Sequence, residues 1–121
     1  HNCYSQTMSY TIDYYNLSVR ADLDGWPPGL RARYRALLLR MLEYGPDLGM
    51  PHTRAMGGGL YEIRAKAAEG IGRALYCTLV GQRILILHAL VKKTDKTPSH
   101  DLALARHRIK EVMKHEQERR P

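Results

Sequence analysis

Residues 59–98, GLYEIRAKAAEGIGRALYCTLVGQRILILHALVKKTDKTP, constrain the fold more than any other stretch of the chain. Three short apolar runs are separated by glycine-containing turns, the pattern of a β-meander. The first runs from Leu60 to Lys66 and ends at a turn around Glu69-Gly70. The second covers Ile71 to Val80, and Gly81-Gln82 reads as a two-residue hairpin loop before the third, Arg83 to Val91. In these later runs both alternating faces are apolar: Leu75, Cys77 and Leu79 oppose Ala74, Tyr76 and Val80. Strands of that kind need cover on both sides of the sheet. Cations interrupt them at particular places, namely Arg64, Lys66 and Arg73, and then Lys92, Lys93 and Lys96 where the last strand runs out. That placement is the main pointer to function.

The flanking sequence supplies the cover. Met8 to Tyr15 alternates and is rich in Tyr, Thr and Ile, so it reads as a strand. Asn16 to Asp24 suits a short helix capped by Asn16 or Ser18. After the break Gly25-Trp26-Pro27-Pro28-Gly29, the spacing of Leu30, Tyr34, Leu37, Leu38 and Met41 predicts a helix from Leu30 to Tyr44. Gly45-Pro46 stops it, and Asp47 to Gly59 reads as a loop. Beyond the meander, Thr97 reads as an N-cap with Pro98 in first position. Leu102, Ala105, Ile109, Val112 and Met113 continue that helix, with His115 to Pro121 expected to fray. The order β-α-α-β-β-β-α makes an α+β domain over residues 8–121, with a mostly antiparallel sheet, two N-terminal helices and one C-terminal helix. Residues 1–7 have no period and read as a tail or a remnant of cloning.

Charge narrows the partners. Nineteen Lys+Arg against 12 Asp+Glu give a formal +7, which in so small a domain favours a polyanion, with nucleic acid first. Cys3 and Cys77 make no disulfide framework, and Cys77 in mid-strand reads as a small buried apolar residue. No signal peptide is visible and no apolar run approaches the roughly 18 residues a membrane span needs, so the cytoplasm is the expected location. The histidines at 1, 52, 88, 100, 107 and 115 show no metal-ligand spacing, and no nucleotide-binding loop is present. Neither a metal nor another cofactor is expected.

The candidate site residues each carry two readings. Arg64 and Arg73 fall near facing ends of adjacent strands, within reach of one phosphate; alternatively each pairs with a structural carboxylate, Glu62 or Glu69. Lys92, Lys93 and Lys96 feed a helix start, a good place for phosphate, or form a solvated loop. His88 is either a satisfied core histidine or, if it opens to a cleft, a general acid or base. Tyr76 is a base-stacking platform, a proton donor or core, and Glu62 is a base or the partner that holds Arg64.

GLYEIR, then RALY, then LH, then KKTxKTP, in that order, resemble the phage-type branch of the HigB toxins within the RelE/ParE superfamily. The likeness runs from about Ser9 to Met113, and Leu75 or Leu90 stands where that family usually has an aromatic. It implies a type II toxin that cleaves mRNA without metal, on the ribosome or off it, and is neutralised by a helix-turn-helix antitoxin. It also implies Arg64, Arg73 and Lys93 as catalytic residues, with Lys66, Lys92, Lys96, Tyr76 and His88 on the RNA. The basic face of the Leu30–Tyr44 helix reads first as solvated surface, and on the resemblance the helical pair is also a candidate platform for the antitoxin. The rivals are a ParE-like protein that binds gyrase without catalysis, and a plain basic nucleic-acid-binding module.

Overall fold

The structure, a computed structural model, describes residues 9–118. The tail at 1–7, Met8 at the start of the first expected strand, Cys3 and the last residues, 119–121, lie outside the described residues. The elements are β1 (Thr11–Tyr14), α1 (Leu17–Asp24), α2 (Pro28–Tyr44), β2 (Thr53–Gly57), β3 (Leu60–Ala67), β4 (Gly70–Leu79), β5 (Arg83–Lys92) and α3 (Ser99–Glu118). They form one sheet in the order β1-β5-β4-β3-β2, antiparallel throughout except for β1, which runs parallel to β5.

Both faces of the sheet are covered, as the doubly apolar strands require. On one side α1 and α2 bury Val19, Leu23, Leu30, Tyr34, Leu37 and Met41 against Ile63, Ala65, Ala74, Tyr76, Ile84 and Ile86. On the other, Ala105 and Ile109 of α3 meet Leu60, Leu75, Cys77, Leu85 and Leu87. Each fully buried large aliphatic side chain contributes about 1.5–3 kcal/mol, so the two layers rather than the turns hold the sheet. Asn16 caps α1 as expected, its side chain accepting from the Val19 amide at 2.8 Å. Trp26 packs so closely on β4 that a Cβ at Gly72 would stand 2.5 Å from its ring.

Four sequence expectations need correction. The segment expected to be a loop before Gly59 contains β2, an edge strand paired antiparallel with β3. Thr53 anchors it, buried and donating its hydroxyl to Asp47 at 3.0 Å. Gly58 and Gly59 turn the chain at φ 63° and 83°, a left-handed path that suits glycine. The β4–β5 loop has three residues rather than two, because Leu79 pairs with Arg83 and Val80 is left exposed. Thr97 does not cap α3: its hydroxyl is drawn to Glu62, and the Pro98 carbonyl accepts the first helical amides, Asp101 at 3.1 Å and Leu102 at 3.2 Å. Finally, α3 stays helical to Glu118 instead of fraying from His115, with Glu116 tied back to Arg83, while Met113 is exposed.

Candidate anion-binding site

Pairing of β3 with β4 sets the centre of the site. The hairpin turns at Ala68-Glu69, so Ala67 pairs with Gly70 and, counting back, Arg64 stands directly opposite Arg73. Alternation then decides the face. Ile63 and Ala65 point into the α1/α2 core, so Glu62 and Arg64 point the other way, towards the side of α3. Arg73 shares the parity of Leu75 and Cys77 and lies on that same face.

All three charged side chains are buried, with Glu62 and Arg73 at 0% exposure and Arg64 at 8%. Such groups persist only with partners. Glu62 accepts from Arg64 Nη1 at 2.8 Å and, with its second oxygen, from the Thr97 hydroxyl. The other arm of Arg64, Nη2, donates to the carbonyl of Asp95 at 3.1 Å. Arg73 Nη2 donates to the Thr94 carbonyl. Arg73 Nε and Nη1 are buried with no hydrogen-bond partner among the described residues. Burial and the neighbouring Arg64 together lower the pKa of Arg73, a sign that its charge is poorly compensated. Glu69 is not a partner of either arginine; it accepts from the Gly29 amide at 2.9 Å.

The segment from Lys92 to Lys96 lies over this buried layer, and its lysines are exposed. Lys66, also exposed, comes within 3.8 Å of the Asp95 carboxylate. One side is thus a rim of four lysines and the other a pair of arginines beneath it. His88 joins them on the α3 face, opposite Leu75, with Nε2 2.6 Å from Asp101 in the first turn of α3. Tyr76 does not. It is fully buried on the α1/α2 face, stacked on Tyr61 at 5.6 Å between ring centres, with its hydroxyl bonded to the Pro46 carbonyl. A side chain so enclosed has no face for a base, and burial raises its pKa.

Several other cations prove to be structural. Arg106 covers the free edge of β2 through the carbonyls of Met56 and Gly57, at 2.7 and 2.9 Å. Arg108 donates to Leu87 and lies 4.5 Å from the centre of the Tyr15 ring. A cleft of about 440 Å³ near Asp13, Arg83 and Glu111 is at the other end of the sheet and gathers no comparable set of cations. Among the described residues no three His, Cys, Asp or Glu side chains converge to hold a metal ion, and no helix is long and apolar enough to cross a membrane. Asp95 and Asp101 had no part in the sequence reading. Asp95 is visible only as the acid inside KKTDK, and Asp101 only as an acid in a helix's first turn.

A family described as "Phage derived protein Gp49-like (DUF891)" matches residues 21–110. The chain belongs to this Gp49-like family. That match spans α2, all the strands from β2 to β5 and the first half of α3, including every residue of the site. Among curated proteins no match is found. Among solved structures, this Gp49-like chain is similar to one from the archaeal RelE–RelB complex of Pyrococcus horikoshii OT3. The TM-score is 0.50 and the identity 23%, over 69% of this chain and 96% of that one. The fold is therefore RelE-like.

Proposed function

We propose that this protein is the toxin of a type II toxin–antitoxin pair, of the phage-type HigB kind, and that it stops translation by cutting mRNA. The observation that carries the reading is the pair Arg64–Arg73, held in register on the α3 face of the sheet beneath a rim of lysines. Two guanidinium groups side by side, each with donors directed at the same segment, suit a phosphodiester and the charge that gathers on its oxygens during displacement. In the reaction the ribose 2′-oxygen bonds to the adjacent phosphorus and the bond to the 5′-oxygen breaks. The 2′-hydroxyl loses a proton and the leaving oxygen gains one, giving a 2′,3′-cyclic phosphate and a 5′-hydroxyl end. Arg64, Arg73 and Lys93 would stabilise the developing charge, while Lys66, Lys92 and Lys96 hold the strand. The His88–Asp101 pair supplies a group able to move a proton at this site. Tyr76 has no part in the scheme.

An unrestrained ribonuclease of this kind would harm its host, so a protein antitoxin is part of the proposal, helix-turn-helix in type. The RelE relative was crystallised in complex with RelB, which supports the expectation of a partner. Induced expression should arrest growth and fragment transcripts while plasmid supercoiling stays normal, and co-expression of the adjacent gene should relieve the arrest. Growth arrest with whole transcripts and altered supercoiling would replace this reading with the gyrase-binding one.

A further inference from the structure

The arginine pair is not open in this structure; another part of the chain sits on it. We propose that Asp95, with the carbonyls of Thr94 and Asp95, stands in for phosphate oxygens, and that an anionic ligand gains the arginine pair by displacing residues 93–96. The proposal deepens the ribonuclease reading in that RNA is the intended ligand, but the anion site it describes does not require cleavage.

The contacts support it one by one. Arg64 uses one arm for the buried Glu62, at 2.8 Å, and the other for the Asp95 carbonyl, at 3.1 Å. The Asp95 carboxylate oxygen lies 3.7 Å from that second arm and 3.8 Å from Lys66 Nζ, bridging two cations as a phosphate oxygen does. The Thr94 carbonyl takes Arg73 Nη2. Three oxygens of one short segment thus meet an Arg–Arg–Lys set. The match is incomplete, since Arg73 Nε and Nη1 stay buried without a partner among the described residues. A tetrahedral anion with more than one free oxygen could engage Nη2 together with either Nε or Nη1 as a bidentate pair, which a single carbonyl cannot.

The segment is also easy to displace. The Asp95 side chain is 84% exposed, and ion pairs that open to solvent are weak. Glu62, by contrast, is fully buried and also holds Thr97, so it anchors Arg64 and the far end of the segment while residues 93–96 move. Two arginines opposite one another repel, and an anion placed between them offsets that repulsion.

The test uses the full chain and inorganic phosphate at constant ionic strength, followed through the arginine Nε–H resonances. Asp95→Asn should bind phosphate about twofold to fivefold more tightly than wild type, the worth of one exposed ion pair. Asp22→Asn, which removes the same charge from the exposed face of α1, should bind as wild type does, because screening limits exposed charges to about 8 Å. The Arg73 Nε–H resonance should shift on titration in both proteins. Equal affinity for Asp95→Asn and wild type would overturn the proposal, as would an equal gain in Asp22→Asn. Phosphate that perturbs only the exposed lysines would also overturn it. Cleaved transcripts with an unchanged Asp95→Asn affinity would remove the displaced segment and keep the ribonuclease. Whole transcripts with the phosphate result intact would do the reverse.

Discussion

Replacing Arg73 with methionine should make this protein more stable and abolish the proposed RNA cleavage. Arg73 is fully buried, yet only Nη2 has an acceptor, and Nε and Nη1 have none among the described residues. An unmet buried donor costs about 1–3 kcal/mol, so two cost about 2–6 kcal/mol. The bond from the charged group to Thr94 returns about 1.5–3 kcal/mol of this. Methionine is similar in length, fills the space and carries no donor, so Arg73→Met should gain about 0.5–3 kcal/mol. For a chain of this size that is a rise of about 2–12 °C in melting temperature. Urea unfolding can be read from the single tryptophan, Trp26, which is 6% exposed in the α1/α2 core, on the face of the sheet opposite the Arg73 side chain. Transcript cleavage by the same protein should be lost. Arg73→Lys keeps the charge without the fork and should cost about 10²–10³ in single-turnover rate. If Arg73→Met is instead destabilised by about 1 kcal/mol or more, Arg73 is a structural group and the argument from its unmet donors fails. Retained cleavage in the folded variant would equally refute it.

Glu62→Gln should behave in the opposite way, losing about 2–4 kcal/mol by urea unfolding, because it leaves Arg64 buried without its countercharge. A loss below about 1 kcal/mol would mean that the Asp95 carbonyl suffices for Arg64. Lys93→Ala should leave stability unchanged and lower the slope of log affinity against log salt for single-stranded RNA by about 0.7, the share of one phosphate contact. A parallel slope with unchanged affinity would take Lys93 off the RNA. Burial pushes the Cys77 thiol up to about 11 from an ordinary 9.0. Between those values the unfolded chain gives up a proton that the native chain keeps, so this group's contribution to stability is present below pH 9 and declines as pH rises towards 11. Cys77→Ala should flatten that part of the pH–stability curve, and native Cys77 should resist thiol reagents at neutral pH.

Much of this fold is written in local patterns. The three strands of the meander, the Leu30–Met41 stripe and the Asn16 cap follow from periodicity and capping chemistry alone. β2 does not, because Thr-Arg-Ala-Met-Gly has no alternation of its own and becomes a strand only through its pairing with β3. Thr97 has the right residue type for a cap; the buried Glu62 carboxylate, 35 residues earlier, takes its hydroxyl instead. In the site, the opposition of Arg64 and Arg73 follows from a two-residue turn, since register in a hairpin is set by its loop. Tyr76 could have been excluded by counting: it lies three residues from Arg73 on an extended strand, hence on the other face. The burial of Arg73 was beyond reach. It depends on how residues 93–97 return over the sheet, and nothing periodic in KKTDKT encodes that path.

The parallel pairing of β1 with β5 bears on how the chain is made. Residues 11–14 find their strand partner only at 83–86, and the apolar stripe of α2 packs on β3 and β4. Everything translated before β3 therefore leaves the ribosome with its greasy side uncovered and no surface to settle on. Closing so long a loop is entropically costly, and the sheet repays that cost only when its central strands exist. The arginine pair comes together through β3 and β4, and the segment that covers it follows β5. The buried arginine layer can therefore form only after β5 and the segment that follows it have been made, and every earlier stage of the chain presents the two guanidinium groups either apart or uncovered.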